Sequence, residues 1–202
     1  MLTTVLSVAA GFLAAASLSA LGLVGSSWLE PRSALRQILV AAASLVPLLM
    51  ALRLTRAGLD SVGLTRTNLL PSVAVGGALA AGWLLASGAF GDLLQPRVEH
   101  AFVLIGAASV GFSEEIAWRG YLQTRLIDLI GTRNGIVLAT AIFTLFHAPQ
   151  RLLAGVGGMD LVVQLVVVAI LGGAFGIMQA STGNVILPGI VHTAIDWSAR
   201  FS

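Results

Sequence analysis

Glu114 and Glu115 stand side by side in an otherwise apolar stretch, with Arg119 four residues after the second of them. Further along, Phe143-Thr144-Leu145-Phe146-His147 and His192-Thr193-Ala194-Ile195-Asp196 set two of the chain's three histidines and another carboxylate in apolar surroundings. Carboxylates and imidazoles together can take a proton from water and steady a developing negative charge. Ionisable side chains at membrane depth are costly unless paired or hydrated, so they mark function by default. The three islands point to a catalytic site buried among membrane helices.

Helical geometry divides the roles. Residues four apart share a helix face, whereas neighbours diverge by ~100°. Glu115 and Arg119 are therefore natural partners, which lowers the cost of burying both. Glu114 points elsewhere without that partner, which suits a general base. The bland reading makes Glu114, Glu115 and Arg119 one packing network, but a spare glutamate is poor structural glue in lipid. His192 and Asp196 are also four apart, so the carboxylate can orient the imidazole. His147, taken alone, reads more often as a histidine satisfied by nearby backbone. His100, beside Glu99 in a polar loop, reads as solvated.

The elements that must position these groups follow from composition. The 202 residues are 57% hydrophobic and 10% charged, with a mean hydropathy of +0.95. Soluble domains carry about 25% charged residues. The chain is long enough for about seven spans of ~20 residues, which makes it an all-α, polytopic transmembrane bundle. Apolar segments run over about 3–28, 35–52, 69–91, 101–122, 134–148, 160–180 and 184–200, with the site between the last four helices. Residues 1–100 form about three N-terminal spans and 101–202 a catalytic core, within a single membrane domain. Leu2 to Trp28 is too long for a signal-peptide core and has no basic residue before it, so a retained first span is expected. Pro149 is expected to close the fifth segment. Ser181 to Asn184 reads as a turn, with Pro188 early in the next helix. Gly172, Gly173 and Gly176 read as a close-packing face, and Trp118 and Trp197 as interfacial anchors or pocket walls.

All eleven basic residues are arginines, and the net charge is +2. They form no basic stripe, so nucleic acid is not an expected partner. Without cysteine there is no disulfide, thiolate ligand or cysteine nucleophile. Arg53, Arg56 and Arg66 face Asp60 in one loop, and Arg119, Arg125 and Arg133 face Asp128 in another. The 92–100 loop holds only Arg97, beside Asp92 and Glu99. The positive-inside rule then puts the first two regions and the N-terminus in the cytoplasm. Counting residues at ~1.5 Å each lets Glu114, His147 and His192 meet on the cytoplasmic side of the midplane.

Residues 114–120, Glu-Glu-Ile-Ala-Trp-Arg-Gly, resemble the EExxxR motif of the CPBP intramembrane proteases, also called the type II CAAX prenyl protease and Abi family. Phe143 to His147 resembles that family's FxxxH motif, and His192 to Asp196 its HxxxN/D motif, in the same order over about half the chain. The resemblance implies an intramembrane peptidase in which Glu114 and His147 activate water and His192 and Asp196 stabilise the oxyanion. It implies a peptide or protein substrate, membrane-associated or lipidated, and membrane lipids as surroundings, in an integral protein of a bacterial plasma membrane. The best-studied eukaryotic-type members have Asn where this chain has Asp196. An ionised carboxylate cannot donate a hydrogen bond, so Asp196 fits better as the holder of His192. No cofactor is favoured, although Glu114, His147 and His192 also make a two-histidine, one-carboxylate set compatible with zinc. A non-catalytic immunity or binding protein is the principal rival. A small transporter is the weaker one, because the early spans lack the polar path it needs.

Overall fold

The computed structural model describes residues 31–95 and 97–200. The expected span over 3–28 lies outside them. The helices are α1 (Pro31–Thr55), α2 (Leu69–Ala86), the short α3 (Phe90–Leu93), α4 (Val98–Glu114), α5 (Thr124–Ile130), α6 (Thr132–Leu153), α7 (Gly158–Thr182) and α8 (Ile186–Ser198). A π-helix, Glu115–Gln123, joins α4 to α5 without a break. Five helical stretches are long and apolar enough to cross a membrane: Ser33–Thr55, Leu69–Ala86, Val98–Ile130, Thr132–Leu153 and Gly158–Thr182. α8 is shorter than these.

Which helix is central follows from burial. The most apolar window of Val98–Ile130 is 44% buried, against 17–28% for the other four. α1 packs on α4, α2 and α4 on α8, and α6 on α7. Large apolar side chains such as Leu39, Leu70, Leu85, Leu145 and Ile170 face outward, the arrangement lipid favours. One face of the bundle is tied together by loops. Val185 N donates to Gly63 O at 3.1 Å, and Asn184 Nδ2 donates to Thr65 O and Thr67 O at 2.8 and 3.0 Å. Arg125 Nη1 reaches Ser61 O on that same face. At the opposite face, Trp83 Nε1 donates to Ser198 Oγ at 2.9 Å, joining the ends of α2 and α8.

Several expectations change. The fourth segment does not stop near residue 122 but continues to Ile130. Gln123, whose polarity reads as loop, is instead buried, its Nε2 donating to Gly176 O and Gln179 Oε1 at 2.9 Å each. α6 does not close at Pro149 and runs to Leu153. One missing N–H is a small loss where unsatisfied backbone costs more than a kink. Pro188 does fall in the first turn of α8. Trp118 and Trp197 are both buried, so neither is an interfacial anchor. His100 is buried as well: its Nδ1 lies 2.7 Å from Asp92 O and its ring meets Trp197 edge-on.

With Arg119 inside the bundle, Arg53, Arg56, Arg66, Arg125 and Arg133 lie toward one face. Arg32, Arg36, Arg97, Arg151 and Arg200 lie toward the other. Glu114 and His147 stand seventeen and sixteen residues from Gly131, ~25 Å along their helices. Glu114 is at the middle of Val98–Ile130 and His147 past the middle of Thr132–Leu153, so neither is on the Gly131 side of its helix.

Gly120 explains how the π-helix meets the 59–62 turn. A Cβ on Gly120 would overlap the Val62 carbonyl and touch Val185 Cγ1. Gly120→Ala should destabilise the protein by about 2 kcal/mol, an ordinary overpacking cost. Gly77→Ala, where a Cβ meets nothing within 4 Å, should not. Thermal unfolding in detergent checks both, and an unchanged midpoint for Gly120→Ala would contradict this packing.

Candidate active site

Polar groups inside this bundle are held by one another. Glu115 is fully buried, and its Oε1 accepts from His192 Nδ1 at 2.9 Å and lies 3.4 Å from Arg119 Nη1. One carboxylate oxygen thus ties the π-helix to α8. Arg119 Nη2 continues the chain by donating to Gly172 O on α7 at 3.2 Å, and its guanidinium lies over the Phe143 ring of α6 at 3.9 Å. Four helical elements meet at this one pair. Gly172 is what lets α7 come so close, since a Cβ there would press on Arg119 Nη2 and Phe143. Gly176 similarly admits Gln123, whereas Gly173 has open space beside it.

The π winding lies across this motif. In a π-helix each N–H bonds five residues back, and such segments cluster at functional sites. This one spans nine residues, Glu115 to Gln123, and buries all of them except Ile116. Thr124 Oγ1 donates to Arg119 O at 3.2 Å, satisfying a carbonyl at its end.

The two histidines are fixed differently. His147 Nδ1 donates to Phe143 O at 2.9 Å, and its ring sits against Phe143 and Phe146, which in turn pack on Trp118. This leaves Nε2 as the nitrogen with a lone pair. His192 stacks on Phe175 at 5.0 Å between centroids, with Nδ1 on Glu115 and Nε2 3.8 Å from Asp196 Oδ1. The expected Asp196 contact is present but longer. Glu115 is the nearer partner of His192, a contact sequence spacing does not reveal.

Glu114 keeps partial access to solvent while Glu115 has none. It lies within electrostatic reach of His192 and Asp196, and of Glu115 and Arg119. His147 in turn lies within reach of His192 and Arg119. Direct contacts thus join Glu115, Arg119, His192 and Asp196, and both Glu114 and His147 lie within electrostatic reach of His192 and Arg119. His100 is elsewhere, against Trp197. Among the described residues, no three His, Asp, Glu or Cys side chains are grouped as metal ligands. Sequence reasoning missed Gln123, Gln179 and Phe175. Gln123 could have been found, because it lies four residues past Arg119 in the same row.

A family model described as Type II CAAX prenyl endopeptidase Rce1-like matches residues 96–198, just over half the chain, and includes every residue of this cluster. No curated protein and no solved structure matches the chain.

Removing one partner of a buried ion pair costs about 3–5 kcal/mol, because the other charge is left uncompensated. Glu115→Leu and Arg119→Met should each lower unfolding stability by about that amount. The double variant should cost clearly less than the two summed. Additive losses in a double-mutant cycle would show that the pair does not act as one unit.

Proposed function

Because the chain belongs to the type II CAAX prenyl endopeptidase Rce1-like family, we propose that this cluster hydrolyses a peptide bond of a membrane-associated or lipidated peptide or protein. The family and the span-capable helices make the chain an integral membrane protein with a protease-type function. The observation that carries the finer reading is the division between two adjacent glutamates. Glu115 is fully buried with its Oε1 held by His192 and Arg119, and Glu114 is left partly accessible within electrostatic reach of His192.

In the proposed reaction a water molecule lies between the Glu114 carboxylate and His147 Nε2, each accepting one of its hydrogens. Glu114 takes a proton as the water oxygen bonds to the substrate carbonyl carbon. His192 donates from Nε2 to the oxyanion that forms, a contribution of about 3 kcal/mol for a well-placed donor. With Glu115 at Nδ1 and Asp196 facing Nε2, imidazolium is the form in which both nitrogens donate. The C–N bond then breaks as the proton held by Glu114 passes to the leaving nitrogen, giving a carboxylic acid and an amine. Glu115 and Arg119 do not touch substrate. They hold the helix rotation that aims Glu114 and the ring orientation of His192.

Glu114→Gln removes the base but keeps the shape. It should abolish cleavage while membrane insertion and the unfolding midpoint stay as in wild type. Comparing the membrane proteomes of cells carrying the two forms identifies substrates as proteins shortened only by wild type. Full activity in the Gln variant contradicts the role of Glu114. The proposed route also uses no metal, so activity should survive exhaustive dialysis against a chelator. Loss on dialysis with recovery on adding zinc would overturn that part.

A further inference from the structure

The buried residues of α7 are Gly172, Phe175, Gly176 and Gln179, which share one face of the helix. Three of them meet the π-helix through polar groups: Gly172 O accepts from Arg119 Nη2, and Gly176 O and Gln179 Oε1 accept from Gln123 Nε2. Phe175 is the bulky apolar member of the four, and α7 carries none of the three motifs. Its ring is 2% exposed and packs with Leu187 and Val191 of α8. The ring also stacks on His192, with centroids 5.0 Å apart and planes 25° from parallel. The Arg119 guanidinium lies 5.7 Å from its centroid. Phe143 makes the matching pair of contacts, 3.9 Å from Arg119 and 4.5 Å from His147. Each histidine thus rests against a phenylalanine that also lies near Arg119.

His192 is gripped by hydrogen bonding at Nδ1, on Glu115 Oε1. Nε2, the nitrogen that donates in the proposed reaction, is 3.8 Å from Asp196 Oδ1, which is beyond hydrogen-bond length. One hydrogen bond tolerates about 30° of bend, so Glu115 leaves the ring free to tilt by that much. A flat contact over the ring face removes the tilt, and an aromatic face attracts a cation laid on it. Imidazole N–H bonds lie in the plane of their ring. Whatever sets the plane of His192 therefore sets the aim of Nε2.

We propose that Phe175 is a positioning residue: its aromatic face holds the plane of the His192 imidazolium and so aims Nε2 at the oxyanion. This rests on the proteolytic reading and gives α7, which supplies none of the motif residues, a part in the chemistry. A phenylalanine that merely filled space between α7 and α8 would act through its shape. A positioning face acts through its electrons as well, and the two can be separated.

The test replaces Phe175 in the full chain by phenylalanines bearing one, two or three ring fluorines, by 4-methylphenylalanine as a control for bulk, and by Leu. Fluorine drains negative charge from the ring face while largely keeping its shape. The probe is an apolar quenched-fluorescent peptide, chosen from a library as cut by wild type and spared by Glu114→Gln. Its single-turnover cleavage is followed in lipid discs. The maximal rate should fall stepwise with fluorine number, to about one tenth with three, and at least as far in Phe175→Leu. The peptide concentration at half-maximal rate and the unfolding midpoint should stay as in wild type through the fluorine series. The methyl ring should keep the wild-type rate. A loss seen with Leu but not with fluorine, or equally with the methyl ring, assigns Phe175 to space filling and overturns the proposal. A change confined to half-saturation also overturns it. Proton magnetic resonance gives a reading that needs no turnover. The carbon-bound ring protons of His192 should be displaced upfield by the Phe175 ring current, and Phe175→Leu should abolish the displacement. Undisplaced protons in wild type overturn the proposal. If the Leu variant fails to fold, the fluorine series and the wild-type displacement decide. Wild type that cuts no peptide sinks the proteolytic reading, and the displacement then judges the stack by itself. Cleavage indifferent to every ring keeps proteolysis and sinks the positioning role.

Discussion

A carboxylate sealed away from both water and lipid headgroups is tolerated only where cationic or donor groups surround it, and Glu115 meets that condition through a single oxygen. His192 and Arg119 both converge on Oε1. Because these partners come from α8 and from the π-helix itself, satisfying one charge fixes the relation between two elements. Arg119 passes the constraint on to α7 through the Gly172 carbonyl and to α6 through the Phe143 ring. The hydrophobic effect gives little reason for apolar helices to choose one another in lipid. A buried polar pair of this kind supplies the specificity that greasy surfaces lack.

The same constraint divides the labour between neighbours. With Glu115 locked, the adjacent Glu114 is turned about 100° around the helix, within electrostatic reach of His192, Asp196 and Arg119. The π winding over Glu115–Gln123 gives this segment its own path through the bundle, where it meets the Val62 carbonyl at Gly120 and Gln179 at Gln123. His147 reaches the region from an independent direction, held by its own helix through Phe143 O. The candidate groups thus come from three separate elements, and both histidines are oriented by buried contacts.

What could be read from the chain alone was local. Glu115 with Arg119 and His192 with Asp196 both follow from four-residue spacing, and both pairs are present at 3.4 and 3.8 Å. The all-helical architecture and the span-capable segments follow from composition. Contacts across long separations were not legible: nothing in the spacing joins Glu115 to His192, 77 positions away. Polarity misled wherever the partner was distant. Gln123 went unread because its acceptors on α7 are far off in the chain. His100 and Trp197 were assigned to water and to the interface because their packing on one another depends on how α4 and α8 associate.

The account depends on His192 being held by Glu115 rather than chiefly by its helix neighbour Asp196. Nitrogen-15 magnetic resonance of protein labelled at histidine, with His192 assigned by substitution, reads this directly. The Nδ1 resonance of His192 should be that of a protonated, strongly hydrogen-bonded nitrogen. It should shift markedly in Glu115→Gln and little in Asp196→Asn. A resonance indifferent to Glu115→Gln, or one that moves only with Asp196→Asn, would contradict the arrangement from which the rest is built.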